Sequence, residues 1–211
     1  MPRLLDVSPT VSPRIGVWPG DVPYRREVAL SFAKGDHLEL SAVHATLHLG
    51  AHADAPIHYV PDGAGIAERP LELYYGPCRV LDVPMARGAR MRPDDLPAGA
   101  LDDVPPRVLL RTGTFPDPER WNEDFAALSP ELVDVLAARG VRLVGLDTPS
   151  VDLQDDRELR THHAIARHDM AVLEGLVLGH VEPGDYLLIA LPLKLEGADA
   201  SPVRAVLVAD D

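Results

Sequence analysis

The chain has 211 residues, of which 46% are hydrophobic and 25% charged, with a formal charge of -13 at pH 7. This is ordinary composition for a soluble globular protein, and the length predicts one domain, 1–211, with a sizeable core. The acidic balance argues against nucleic acid, whose phosphates need a basic face, and against anionic membrane surfaces. Cys78 is the only cysteine, so any metal must be bound by nitrogen and oxygen rather than by thiolates. The first residues have no apolar signal segment, and no apolar run approaches the ~18 residues of a spanning helix. A cytoplasmic protein is expected.

In chain order, Leu4 to Val7 reads as a first strand. Ser8 to Asp21 is a Pro/Ser/Gly-rich loop that carries Trp18. Arg26 to Phe32 reads as a strand, Gly35-Asp36 as a turn, and Leu38 to Leu47 as an alternating strand. A polar loop, Pro61 to Arg69, follows His58. Arg79 to Val83 and Val108 to Arg111 are short buried-type strands, with Cys78 a small core residue at the start of the first. Ser129-Pro130-Glu131 begins a helix: an N-cap serine, proline at the first helical position and an acid at the positive end. Gly140 ends it. Val141 to Leu146 is a strand, Leu159 to His168 a helix, and Asp185 to Leu193 and Pro202 to Val208 the last strands. Strict βαβα alternation is missing, and so are both phosphate-binding glycine motifs. The expectation is an α/β domain with a mixed sheet.

The chemistry concentrates between His44 and His58. His48, His52, Asp54 and His58 put three histidines and an aspartate into eleven residues, separated by small or apolar neighbours. Imidazole and carboxylate are the ligands of zinc and manganese. Gly50 and Pro56 disfavour a helix, so an extended segment that projects the even positions to one side is expected. More ligands must come from elsewhere. His162-His163 is the only adjacent histidine pair, and Glu174 interrupts the apolar run Met170 to Leu178. A carboxylate there either faces solvent or is buried beside a cation; spacing alone leaves both open. His44 is open between core and a supporting place near the ligands. His37 and His180 read as solvent-facing, and His168 as a helix C-terminal residue. Trp18 offers a flat apolar face for an aromatic ring, or is simply half-buried.

The pattern His48-x-Gly50-x-His52-x-Asp54-x-Pro56-x-His58 resembles the signature of the cyclase family of metal-dependent hydrolases. Gly50 to Tyr59 is most similar to bacterial kynurenine formamidases (arylformamidases). The segments Val17–Asp21, Leu146–Ser150, Thr161–His163, Val172–Leu176 and Leu191–Leu195 extend the likeness over nearly the whole chain. It implies a swivelling β/β/α fold and two Zn²⁺ per subunit, with Mn²⁺ or another divalent metal as the alternative. His48, His52 and Asp54 would hold one ion, and Asp54, His162 and Glu174 the second. His58 would be the proton donor and acceptor, and Trp18 a substrate contact. A homodimer is implied, and hydrolysis of N-formyl-L-kynurenine to L-kynurenine and formate in tryptophan degradation. The rival expectations are another amide or lactam hydrolase acting on a compound such as isatin, and a metal-binding protein without turnover. Two departures from the pattern, Leu49 and Ala51, remove no ligand, and Gly175 stands where asparagine is frequent.

Overall fold

A computed structural model describes residues 2–209. Its main element is a nine-stranded mixed sheet. The four middle strands run parallel: β5 (Tyr75–Asp82), β7 (Arg107–Arg111), β9 (Leu143–Leu146) and β10 (Ala171–Glu174). Beyond β5 lie the antiparallel strands β11 (Gly184–Ile189), β13 (Val206–Ala209) and β1 (Arg3–Asp6). Beyond β10 lie β4 (His52–Asp54) and β12 (Ala200–Pro202), also antiparallel. Two small ribbons stand apart: β2 (Arg25–Leu30) with β3 (Leu40–His44), and β6 (Arg90–Met91) with β8 (Ala127–Leu128).

Alternation along the strands divides the core between the two faces. Val80, Leu109, Leu143 and Leu173 point into one cluster, which also receives Cys78, Leu188 and Leu207. Val108, Leu110, Val144 and Val172 point into the other, which is covered by α1 (Pro130–Ala138) and α2 (Arg160–Arg167). The predicted helix start is present: the Ser129 side chain accepts from Leu132 N, Pro130 opens the helix, and Gly140 follows in the left-handed region. Leu132, Val133 and Leu136 form its buried stripe, each contributing about 1.5–3 kcal/mol.

Three sequence expectations change. The segment read as one strand, Pro202 to Val208, is divided: it leaves β12, one edge of the sheet, at Pro202 and re-enters as β13, next to the other edge strand β1. The alternating strand at Leu38 to Leu47 shortens to Leu40–His44, and all five of its residues are exposed. Its alternation therefore buries no face within this chain, and His44 lies on the surface, away from core and site. The β6–β8 pair had no signal, because two-residue strands carry no period. Among the described residues no helix is long and apolar enough to cross a membrane.

Candidate active site

Strand β4 turns His52 and Asp54 to the helix-covered face and Ala53 to the opposite core. Glu174, the last residue of β10, stands directly opposite His52 in the antiparallel register. Opposed residues share a face, so Glu174 Oε2 comes within 3.2 Å of His52 Nε2. Helix α2 adds His162, whose Nε2 is 3.5 Å from both Asp54 Oδ2 and Glu174 Oε1. Its neighbour His163 points to solvent. His48 precedes the left-handed Gly50, φ 59°, which turns the chain into β4; His48 Nδ1 lies 2.9 Å from Asp54 Oδ1. The structure thus brings together all five predicted metal-binding side chains. Only His52 and Asp54 project from an extended segment, however. His48 sits in a bend, and His58 ends the short 3-10 turn Pro56–His58, so the expected single extended run is corrected. That turn sets the His58 ring 4.2 Å from the His48 ring.

The donor set fits a divalent cation. Among the described residues, the buried atoms His52 Nε2, Asp54 Oδ1 and Oδ2, and His162 Nε2 have no hydrogen-bond partner. Each such atom costs about 1–3 kcal/mol when left unsatisfied, and these four face one another. Ligand atoms of His52, Asp54 and Glu174 lie within 4.8 Å of one another, as do those of His48, Asp54 and His58. Asp54 belongs to both groups, as a carboxylate with two oxygens can. Electrostatics point the same way. Burial opposes ionisation of Asp54, yet His162 and His48 hold it well below the usual carboxylate range. Glu174 is lowered too, His162 and His52 outweighing burial and the Asp54 charge. Burial should lower His48, but Asp54 and Asp199 push it up to about 9. Carboxylates buried beside His48 and His162 thus outweigh the pull of burial on both rings and favour a positive charge among them.

The ligands are themselves supported. His52 Nδ1 donates to Gly50 O at 2.9 Å, which leaves Nε2 free to face the cluster. Asp152, fully buried, accepts from His162 Nδ1 at 2.9 Å and from the backbone N–H groups of Thr161 and His162 at 3.1 Å. Arg90 from the β6–β8 ribbon pairs with Asp152 at 2.9 Å and also with Asp156. Val151 N donates to Glu174 Oε1 at 2.7 Å. Such outer partners orient imidazole and carboxylate ligands and raise their basicity.

Comparison with known proteins matches the profile described as "Putative cyclase" to residues 5–153. The chain belongs to the cyclase family. A solved protein named "Potential Metal-Dependent Hydrolase With Cyclase Activity" is 26% identical over 100% of both chains, with a TM-score of 0.84. A predicted metal-dependent hydrolase from Bacillus stearothermophilus is 26% identical over 99% of this chain and 98% of its own, with a TM-score of 0.82. Isatin hydrolase A from Labrenzia aggregata, solved bound to benzyl benzoate, shares the fold at 22% identity over 100% and 94% of the chains, with a TM-score of 0.82.

In this cyclase-family chain the cluster forms the floor of a pocket of about 430 Å³. Trp18 lines it, as one of several aromatic walls. Its ring packs edge-on against Trp121 at 5.5 Å, and Trp121 against Phe115 at 5.6 Å. Trp121 Nε1 donates to Gln154 Oε1 at 2.9 Å. Sequence reasoning passed over Trp121, Phe115, Asp152 and Asp199. The signal for Trp121 was its place in a second Pro-rich loop; the two aspartates had none among 33 acidic residues. The departure at Gly175 also has a physical reason. Its φ is 66°, and a Cβ there would lie 2.2 Å from Gly50 O, the carbonyl that orients His52. Asparagine does not fit.

Proposed function

We propose that this protein is a divalent-metal hydrolase of aromatic formamides, cleaving N-formyl-L-kynurenine to L-kynurenine and formate. One observation carries the reading: unpaired, buried donor atoms of His52, Asp54 and His162 converge beside Glu174 at the floor of an aromatic-walled pocket. The relatives named as metal-dependent hydrolases support the reaction class.

A cation held by His48, His52, Asp54, His162 and Glu174 supplies Lewis-acid polarisation of the formyl oxygen and lowers the pKa of water from 15.7 toward about 7; Zn²⁺ is proposed, two per subunit, with Mn²⁺ as alternative. The chain does the rest. Trp18 and Trp121 bind the aryl ring and orient the formamide toward the floor. His58 lines the same pocket with its side chain about one-third exposed. It takes a proton from the attacking water and delivers one to the departing aryl nitrogen. Water adds across the C–N bond, giving formate and the free amine.

A second reading, hydrolysis of a bicyclic lactam such as isatin, draws on the same aromatic walls and on the isatin hydrolases that share the fold. The test is an assay of purified protein against N-formylkynurenine, isatin and formanilide, with elemental analysis. Cleavage of the formylated anilines, lost on chelation and restored by Zn²⁺ or Mn²⁺, is expected. Preference for isatin would select the second reading. Full activity without metal would overturn both. The working unit is proposed to be a homodimer.

A further inference from the structure

Asp199 immediately precedes β12 and is fixed by its backbone. Its carbonyl accepts from Ala55 N at 2.8 Å, and the next residue, Ala200, pairs with Asp54. The side chain is therefore delivered to the segment that carries the candidate ligands and the candidate base. One oxygen, Oδ2, lies 3.0 Å from His48 Nε2 and 3.6 Å from His58 Nδ1. The other nitrogen of His48 faces Asp54 at 2.9 Å. Asp199 thus sits on the side of His48 away from the ligand cluster, and the two imidazoles that share it have ring centroids 4.2 Å apart.

An imidazole presents a lone pair at one nitrogen only when the proton resides on the other, and the hydrogen bond made by that second nitrogen fixes the choice. A carboxylate accepting from His48 Nε2–H leaves Nδ1 for a cation. The same oxygen stands 3.6 Å from His58 Nδ1, beyond hydrogen-bonding distance here, and catalytic contacts of this kind tighten when substrate binds. We infer that Asp199 is a positioning residue, locking the His48 tautomer on one side and aiming His58 on the other. The assignment rests on the metal-hydrolase reading of those two histidines. An ordinary exposed ion pair would contribute little. Asp199 differs from one because its backbone is tied to Ala55 and one oxygen bonds His48 while facing His58.

The experiment compares wild type, Asp199→Ala and Asp199→Asn as full chains. Zinc affinity is read by competition with a chromophoric chelator, and turnover of N-formylkynurenine at saturating zinc. Asp199 is half-exposed, so metal-free melting temperatures of the variants should match wild type. Asp199→Ala should weaken zinc binding and lower kcat, each by roughly 10–100-fold, with KM moved by less than about twofold. Asp199→Asn keeps an acceptor oxygen and should recover part of both losses. In a His58→Ala background, Asp199→Ala should cost little further kcat. Wild-type zinc affinity in Asp199→Ala would overturn the assignment, as would a loss falling on KM alone. Failure of the substrate reading is separable: wild type would then leave every formamide intact, while the chelator competition still decides whether Asp199 holds His48.

Discussion

At the scale of single residues, His58 is displaced opposite to two of its neighbours: carboxylates raise His48 and His162 against the pull of burial, and none outweighs it for His58. Burial lowers the pKa of His58 below its ordinary 6.5, helped by the nearby His48 and opposed by the Asp54 charge. A base must be unprotonated, so a lowered pKa moves the acid limb of activity to lower pH. At saturating zinc, kcat/KM should hold level near neutrality and fall only below pH 6.5. His58→Ala should remove most turnover while keeping the metal. Loss of metal in that variant would make His58 a ligand, as its reach to His48 and Asp54 permits. Asp152 presents the complementary case. Burial opposes its charge, but His162 and Arg90 hold it well below the usual carboxylate range. Its folded pKa is depressed, so its contribution to stability is complete above its unfolded pKa and is lost only as pH falls through the folded one. Asp152→Ala should therefore cost about 1–3 kcal/mol at neutral pH and roughly 10–100-fold in zinc affinity, read by denaturant titration and chelator competition. An unchanged zinc affinity would reduce Asp152 to a helix cap.

At the scale of elements, the site is a junction between β4, β10, α2 and two turns. The local part of it was legible: His48 to His58 is contiguous, and its residue types and small neighbours announce N/O ligation. The distal part was legible only as candidates. Nothing in the run Met170 to Leu178 states that Glu174 will stand opposite His52, because register is a property of two strands and one of them carries only three residues. The same limit explains Pro202 to Val208, whose apolar pattern does not reveal that its two ends join opposite sides of the sheet. Close backbone approach is also invisible before folding. Gly175 and Gly50 touch across the junction, both left-handed. Gly175→Ala adds about 1–2 kcal/mol of left-handed strain and drives a methyl against Gly50 O. The carbonyl must move, and His52 with it. The metal-free protein should melt at lower temperature, and zinc affinity should fall. A variant that melts lower yet binds zinc as wild type does would show that His52 is held without Gly50 O.

At the scale of the whole molecule, the β2–β3 ribbon has no large sheet to join. Phe32, Leu40 and Val43 are 64%, 52% and 63% exposed on it and its connecting turn. A lone two-stranded ribbon is marginal in water, so the proposed second copy is expected to cover it. Sedimentation should give twice the chain mass, and Val43→Asp should shift it toward the monomer. A wild-type monomer would leave the ribbon to another role.

Charge acts over the whole molecule too. The -13 net charge draws cations toward the surface, and two carboxylates buried close together, Asp54 and Glu174, offer one a site at the pocket floor. The groups that would bind it come from residues 48 to 174 and meet only when the sheet and α2 are assembled. The unfolded chain therefore has no comparable site, and metal binding becomes folding stability. At a free zinc concentration 100 times Kd the added stability is about 2.7 kcal/mol per ion. For a chain of this size that raises Tm by about 5–10 °C. Thermal melts with and without zinc should show this shift, and Asp54→Asn should abolish it, because Asp54 is shared by both ligand groups. Asp54→Asn should also lower the Tm of the metal-free protein, since His162 and His48 hold the Asp54 carboxyl well below its ordinary range and that stabilisation is lost with the charge. A zinc-induced shift that survives Asp54→Asn would place the ion elsewhere on the acidic surface and separate metal binding from the pocket.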